Sequence, residues 1–151
     1  MIQDSGDRTE YPTGAVRDIK EGKGRCDLMP LDVVAEFMND EIIIKCISEF
    51  QRTKDIGYLY DALNNLKRCN YGGYKINMLL DVSIHFEEGA KKYGEYNWQK
   101  GIPVQSYIDS ATRHYLKHLR GDDDENHLRA FVWNILCCIW TVKHKEELGV
   151  E

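Results

Sequence analysis

The chain predicts an all-α fold: a helical bundle of about five or six helices with an extended N-terminal arm. Three observations carry this. Apolar residues recur at helical spacing nearly everywhere beyond residue 30, and no stretch alternates convincingly as a strand would. Prolines and glycines fall where helices would start and stop. The 151 residues suffice for a single domain, residues 1–151, with a core of its own.

Residues 1–29 read as the arm, because Gly6, Pro12, Gly14, Gly22 and Gly24 stand among many charges. Within it, TGAVRD (13–18) and EGKGR (21–25) suit contact with phosphate. Glycines let backbone N–H groups approach an anion, and Lys23 and Arg25 add charge. No GK[ST] follows, so this is not a Walker A motif. A flexible solvated tail accounts for the same composition about as well.

Pro30 opens the first helix, with Leu31, Val33, Val34, Phe37 and Met38 as its apolar residues. Residues 42–50 continue as a second piece. Residues 55–68 follow, with Ile56, Leu59, Tyr60, Leu63 and Leu66 on one side. YGGY at 71–74 is a break. A longer helix over about 75–93 is expected to bury Ile76, Leu79, Leu80, Val82, Ser83 and Phe86. Its end carries His85, Glu87, Glu88, Lys91 and Lys92, with Glu87 and Lys91 at the favourable i,i+4 spacing of a solvated pair. The loop GEYNWQKG (94–101) offers Asn97, Trp98 and Lys100 to a ligand, although Trp98 serves equally well to pin the loop to the core. Pro103 opens a helix carrying Tyr107, Asp109, Arg113, His114 and His118. Gly121 ends it. The last helix, about 124–148, buries Leu128, Val132, Ile135 and Ile139, widened by Phe131, Leu136 and Trp140.

Residues 113–134 are the densest in chemistry. Two helices joined at Gly121 run back antiparallel, so groups along their facing sides meet. His114 and His118 share one face; His127, Phe131 and Asn134 share another. Imidazoles, carboxylates and a carboxamide together suit a divalent metal or a polar ligand. The acids at 122–125 also fit ordinary capping of a helix start.

The net charge of −5 argues against a nucleic-acid coat protein. Basic residues gather at 17–25 and 91–100, and acids near Asp122. Cys26, Cys46, Cys69, Cys137 and Cys138 form no CxxC pair, which suits reduced thiols in the cytoplasm. The N-terminus does not resemble a signal peptide, and no apolar run reaches membrane-spanning length. No membrane partner is expected. The wide apolar arc of the last helix predicts a homo-oligomer completed by a second copy.

TGAVRD and EGKGRCDLMP, then FEEGAKKYGEYNWQKGIP and YIDSATRHYLKHLRGDDDENHLRAFVWNIL, resemble the dATP/dGTP diphosphohydrolase family of phages and prophage-bearing bacteria. The resemblance covers more than half the chain. Residues 39–80 look like a helical insertion between its parts. The family is related to MazG-type all-α nucleotide pyrophosphohydrolases. The resemblance implies hydrolysis of a purine deoxynucleoside triphosphate, dATP or dGTP, to the monophosphate and pyrophosphate with Mg²⁺. The MazG pair of ExxE and ExxD helices is absent; Asp122 and Glu125 stand at D-x-x-E spacing, at a helix start.

For that chemistry the best carboxylates are Glu87, Glu88, Asp124 and Glu125, since Mg²⁺ prefers oxygen ligands. Histidine ligands would instead favour Mn²⁺, Co²⁺ or Zn²⁺. Glu87, His114, Glu125 and His127 are the candidate catalytic residues, with a water held by a carboxylate or by His114 attacking the α-phosphorus. Lys23, Arg25, Lys91, Lys92 and Arg113 are candidates for the phosphates. Asn97, Trp98 and Lys100 are candidates for the rest of the nucleotide. Asn134 would bind the ligand or orient His127. The competing class is a nucleotide-binding protein without turnover, such as one that sequesters a signal.

Overall fold

The computed structural model describes residues 3–19, 21–39, 41–68 and 74–151. Seven helices form among them: α1 (Leu31–Phe37), α2 (Ile42–Thr53), α3 (Gly57–Asn64), α4 (Tyr74–Tyr93), α5 (Val104–Arg120), α6 (His127–Lys143) and the single turn α7 (Lys145–Leu148). The all-α expectation holds. The break expected at 71–73, Cys69 and parts of the segment 39–80 lie outside the described residues.

The arm is more ordered than its composition suggests. Arg8–Glu10 (β1) and Val16–Asp18 (β2) pair antiparallel as a short hairpin. The connection closes through Gly14, at φ +85°, whose N–H donates to Tyr11 O at 2.9 Å. Two three-residue strands do not hold alone. Here Ala15 is fully buried, and the carboxamide of Asn97 grips β2 from the side: it accepts from Val16 N at 3.0 Å and donates to Val16 O at 2.9 Å. Three residues are too few for alternation to be seen in the sequence.

The α5/α6 hairpin is the spine. Gly121, at φ +88°, is the left-handed cap of α5 and donates back to Lys117 O and His118 O. The two helices run antiparallel, with Tyr115 against Phe131 and Tyr107 against Trp133. The buried stripe of α6 is the expected one, with Val132, Ile135 and Ile139 among its buried side chains. The helix starts later than expected, however. Asn126 is its cap, accepting from Arg129 N at 3.0 Å, so the acids 122–125 lie in the preceding turn.

Two helices depart in part from the face expected of them. On α4 the core side is Val82, His85 and Phe86, while Leu79 (51 % exposed), Leu80 (65 %) and Ser83 face outward. Apolar residues occupy both faces of this helix, so spacing alone does not choose between them. His85 is drawn inward against Trp133, their rings 5.3 Å apart. On α1, Leu31 is buried and Val34 and Met38 pack against the core as expected, whereas Val33 and Phe37 are exposed, Phe37 at 89 %.

Cys26, Cys46, Cys137 and Cys138 are free thiols, and burial pushes Cys138 up to about 12. No helix among the described residues is long and apolar enough to cross a membrane.

Candidate functional site

A cleft of about 870 Å³ opens between β2, the last turns of α4, the 94–98 loop, α5 and the start of α6. Lys23, Asn97, Trp98, Arg113, His114, Asp124, Glu125 and Asn134 line it. His127 stands directly behind His114. The other residues expected at a site do not line it. Glu87 and Lys91 project from α4 toward solvent, 4.0 Å apart. Glu88 lies 3.9 Å from Arg129, Lys92 pairs with Asp4 at 3.7 Å, and Arg25 pairs with Asp27 at 2.7 Å. Lys100 is exposed. Glu87 sits on the side of α4 that turns away from the core, the same rotation that exposes Leu80, while Glu88 is half-buried against α6.

One edge of the cleft is a cluster of imidazoles and carboxylates. His114 Nδ1 lies 2.9 Å from His127 Nδ1 and 3.4 Å from Glu125 Oε1. His127 Nδ1 lies 3.9 Å from the same Glu125 oxygen. On its far side, His127 Nε2 meets Asp124 Oδ1 at 2.6 Å. Burial, then the neighbouring His127, holds His114 down to about 3, so it is neutral at ordinary pH and its contact with Glu125 is not an ion pair. The hydrogen bond from His127 holds Asp124 below the usual carboxylate range. The N-terminal segment covers this edge, with Gln3 N donating to Glu125 Oε2 at 3.0 Å. His118 is exposed and does not join the cluster.

The cleft is also rich in donors, though not mainly through the expected cations. Lys23 is paired with Asp18. Burial would raise the Asp18 carboxyl, but Lys23 and Ser5 bring it down to about 2. Arg113 donates to Lys23 O at 3.1 Å, Gly24 O at 2.7 Å and Asp109 Oδ2 at 2.6 Å, latching the 23–24 backbone onto α5. Two cations outside the expected set line the same cleft. Lys117 enters no ion pair among the described residues. Arg17 reaches in from β2. Its Nη2 donates to Asn134 Oδ1 at 3.0 Å, and its guanidinium lies over the rings of Tyr107 (5.3 Å) and Trp133 (5.9 Å). Its Nη1 and Trp133 Nε1 are buried N–H groups with no acceptor among the described residues. Buried donors call for partners. Lys117 is legible in hindsight as the residue one turn beyond Arg113. Arg17 stood within TGAVRD, but nothing in the sequence tells that its strand folds over α5 and α6.

Asn97 and Trp98 line the cleft with their polar and aromatic groups largely engaged. Asn97 holds β2, and Trp98 packs edge-on to Phe86 and Trp140 at 5.6 and 5.1 Å. Asn134 joins Arg17 to the α6 backbone, its Nδ2 donating to Ala130 O at 2.8 Å. His85 closes the floor. Burial, then Arg129, lowers it to about 4, so it is a neutral imidazole.

Cations and N–H donors without acceptors among the described residues thus share one cleft with carboxylates and imidazoles, a lining suited to an anionic ligand. The family comparison names the group. The model of the dATP/dGTP diphosphohydrolase N-terminal family matches residues 64–150, more than half of the chain, and the chain belongs to that family. The match spans α4, α5 and α6, but not β2 or Lys23. Comparison with curated proteins and with solved structures gives no match. Membership ties the chain to nucleotide metabolism and a nucleotide substrate.

Proposed function

We propose that the chain binds dATP or dGTP in this cleft and hydrolyses it to the monophosphate and pyrophosphate with a divalent metal, in the cytoplasm. The observation that carries this reading is a single cleft lined both by Arg17, Lys117 and the Trp133 N–H and by Asp124 and Glu125 beside His114. A triphosphate needs its negative charge met by cations and donors. Lys117 and the unpaired nitrogen of Arg17 are available for this, while Lys23 and Arg113 hold the arm in place. Asp124 and Glu125 are the acids that would hold the metal, which supplies further charge neutralisation when bound. The reaction adds one water across the bond between the α-phosphorus and its bridging oxygen. That bond breaks, pyrophosphate leaves, and the carboxylate edge accepts the proton released by the water.

The test is turnover of a panel of nucleoside triphosphates with Mg²⁺ and with Mn²⁺, resolving pyrophosphate from phosphate. The expected result is metal-dependent pyrophosphate release from dATP or dGTP. Arg17→Lys should lower nucleotide affinity about tenfold or more, since a charged hydrogen bond contributes about 1.5–3 kcal/mol. No turnover, with nucleotide still raising the melting temperature, would leave a binding protein. No turnover and no binding would remove the reading.

A further inference from the structure

The proposed metal has so far been assigned only to acids, yet the cluster at the cleft edge has a donor set of another kind. Three atoms face one another there: His114 Nδ1, His127 Nδ1 and Glu125 Oε1, with separations of 2.9, 3.4 and 3.9 Å. Two donors bonded to one ion at about 2.1 Å stand roughly 2.9 Å apart at a right angle and roughly 3.4 Å apart at the tetrahedral angle. The triangle is thus the size that a single first-row metal ion spans.

The protonation pattern agrees. Asp124 Oδ1 lies 2.6 Å from His127 Nε2. A carboxylate there accepts from an N–H, which places a hydrogen on His127 Nε2 and leaves Nδ1 as the nitrogen that faces His114 and Glu125. A carboxylate behind an imidazole whose other nitrogen faces a metal is the usual way such a ligand is oriented. The cluster is also well placed. His127 is buried, and Glu125 is largely shielded, with Gln3 N bound to its other oxygen. The alternative grouping of Asp122, Asp124 and His127 is less suited. Arg120 holds both Asp122 oxygens, and Asp124 faces the nitrogen of His127 that carries the hydrogen.

We infer that His114, His127 and Glu125 form a three-donor site for a transition-metal ion of the Mn²⁺, Co²⁺ or Zn²⁺ kind, with Asp124 as the residue that positions His127. Two imidazoles and one carboxylate favour these ions over Mg²⁺, which seeks oxygen ligands and keeps its waters. The inference sharpens the metal-dependent reading above, but it concerns metal binding alone. Failure of hydrolysis and failure of this site are therefore separate results.

The test uses the full chain, stripped with a chelator and kept under reductant, titrated with Co²⁺, Zn²⁺ and Mg²⁺ alone by calorimetry. The visible absorption of Co²⁺ reports nitrogen ligation. The expected result is one equivalent of Co²⁺ or Zn²⁺ bound at least tenfold more tightly than Mg²⁺. Glu125→Gln and His127→Ala should abolish the high-affinity phase. Asp124→Asn should weaken it by about 10–100-fold while keeping the stoichiometry. If His127→Ala fails to fold, the near-isosteric Glu125→Gln decides alone. Equal or tighter binding of Mg²⁺ would overturn the inference. So would Co²⁺ or Zn²⁺ binding that persists unchanged in Glu125→Gln, which would place the ion on the thiols, or no binding at all.

Discussion

Arg17 shows how a side chain acquires a role that its neighbours in sequence do not disclose. Among basic residues in a glycine-rich arm, Lys23 and Arg25 look as suitable for phosphate as Arg17 does. The fold separates them: Lys23 and Arg25 meet Asp18 and Asp27, while Arg17 lies over two aromatic rings and has one nitrogen with no acceptor among the described residues. The histidines were more legible. His114 and His127 lie on either side of a glycine break, and an antiparallel return brings them within 2.9 Å. His85 gave no sign, because its inward turn depends on Trp133. Its burial has a measurable consequence. The folded-state value of about 4 lies below the ordinary 6.5 of an unfolded chain. Between these values the unfolded chain binds the proton and the folded one does not. Stability associated with neutral His85 is therefore full above 6.5 and falls as the pH drops toward 4. From neutral pH to pH 5 this amounts to about 2 kcal/mol. In urea unfolding at the two pH values, His85→Gln should lose about that much less than the unaltered chain; equal losses would contradict the assignment.

Elements differ in how far their patterns constrain them. α6 has one apolar arc and folds as its spacing dictates. α4 has two competing arcs, and the choice between them is made by α6, which no local pattern contains. The hairpin of β1 and β2 is shorter than any periodicity that could announce it. Its dependence on a loop side chain is testable. Asn97→Ala removes both hydrogen bonds to Val16, at a cost of about 1–3 kcal/mol by denaturant unfolding. Nucleotide binding should weaken as well, because Arg17 follows Val16 directly. A variant that loses stability but binds nucleotide as before would show that β2 does not carry the contact. Asn97 both lines the cleft and holds β2, and this variant separates a positioning role from the direct ligand contact its loop suggests.

For the whole molecule, the arc of α6 that suggests a second copy is covered within one chain by α5, α4 and α3. Large apolar side chains remain exposed on α4 instead, at Leu79, Leu80 and Ile84. A homo-oligomer, if formed, should use that face. Light scattering should then give a mass above 17.6 kDa that falls to the monomer in Leu80→Glu. A monomer at the outset would remove the expectation.

The cleft draws on both ends of the sequence, for Arg17 touches Asn134 across 117 positions and Val16 touches Asn97 across 81. During synthesis, β2 emerges from the ribosome long before the helix that receives it. Until α6 is complete, Arg17 has neither Asn134 nor Trp133 to rest on. A chain that stops short of α6 therefore lacks these contacts, and under the proposed function it should retain no nucleotide.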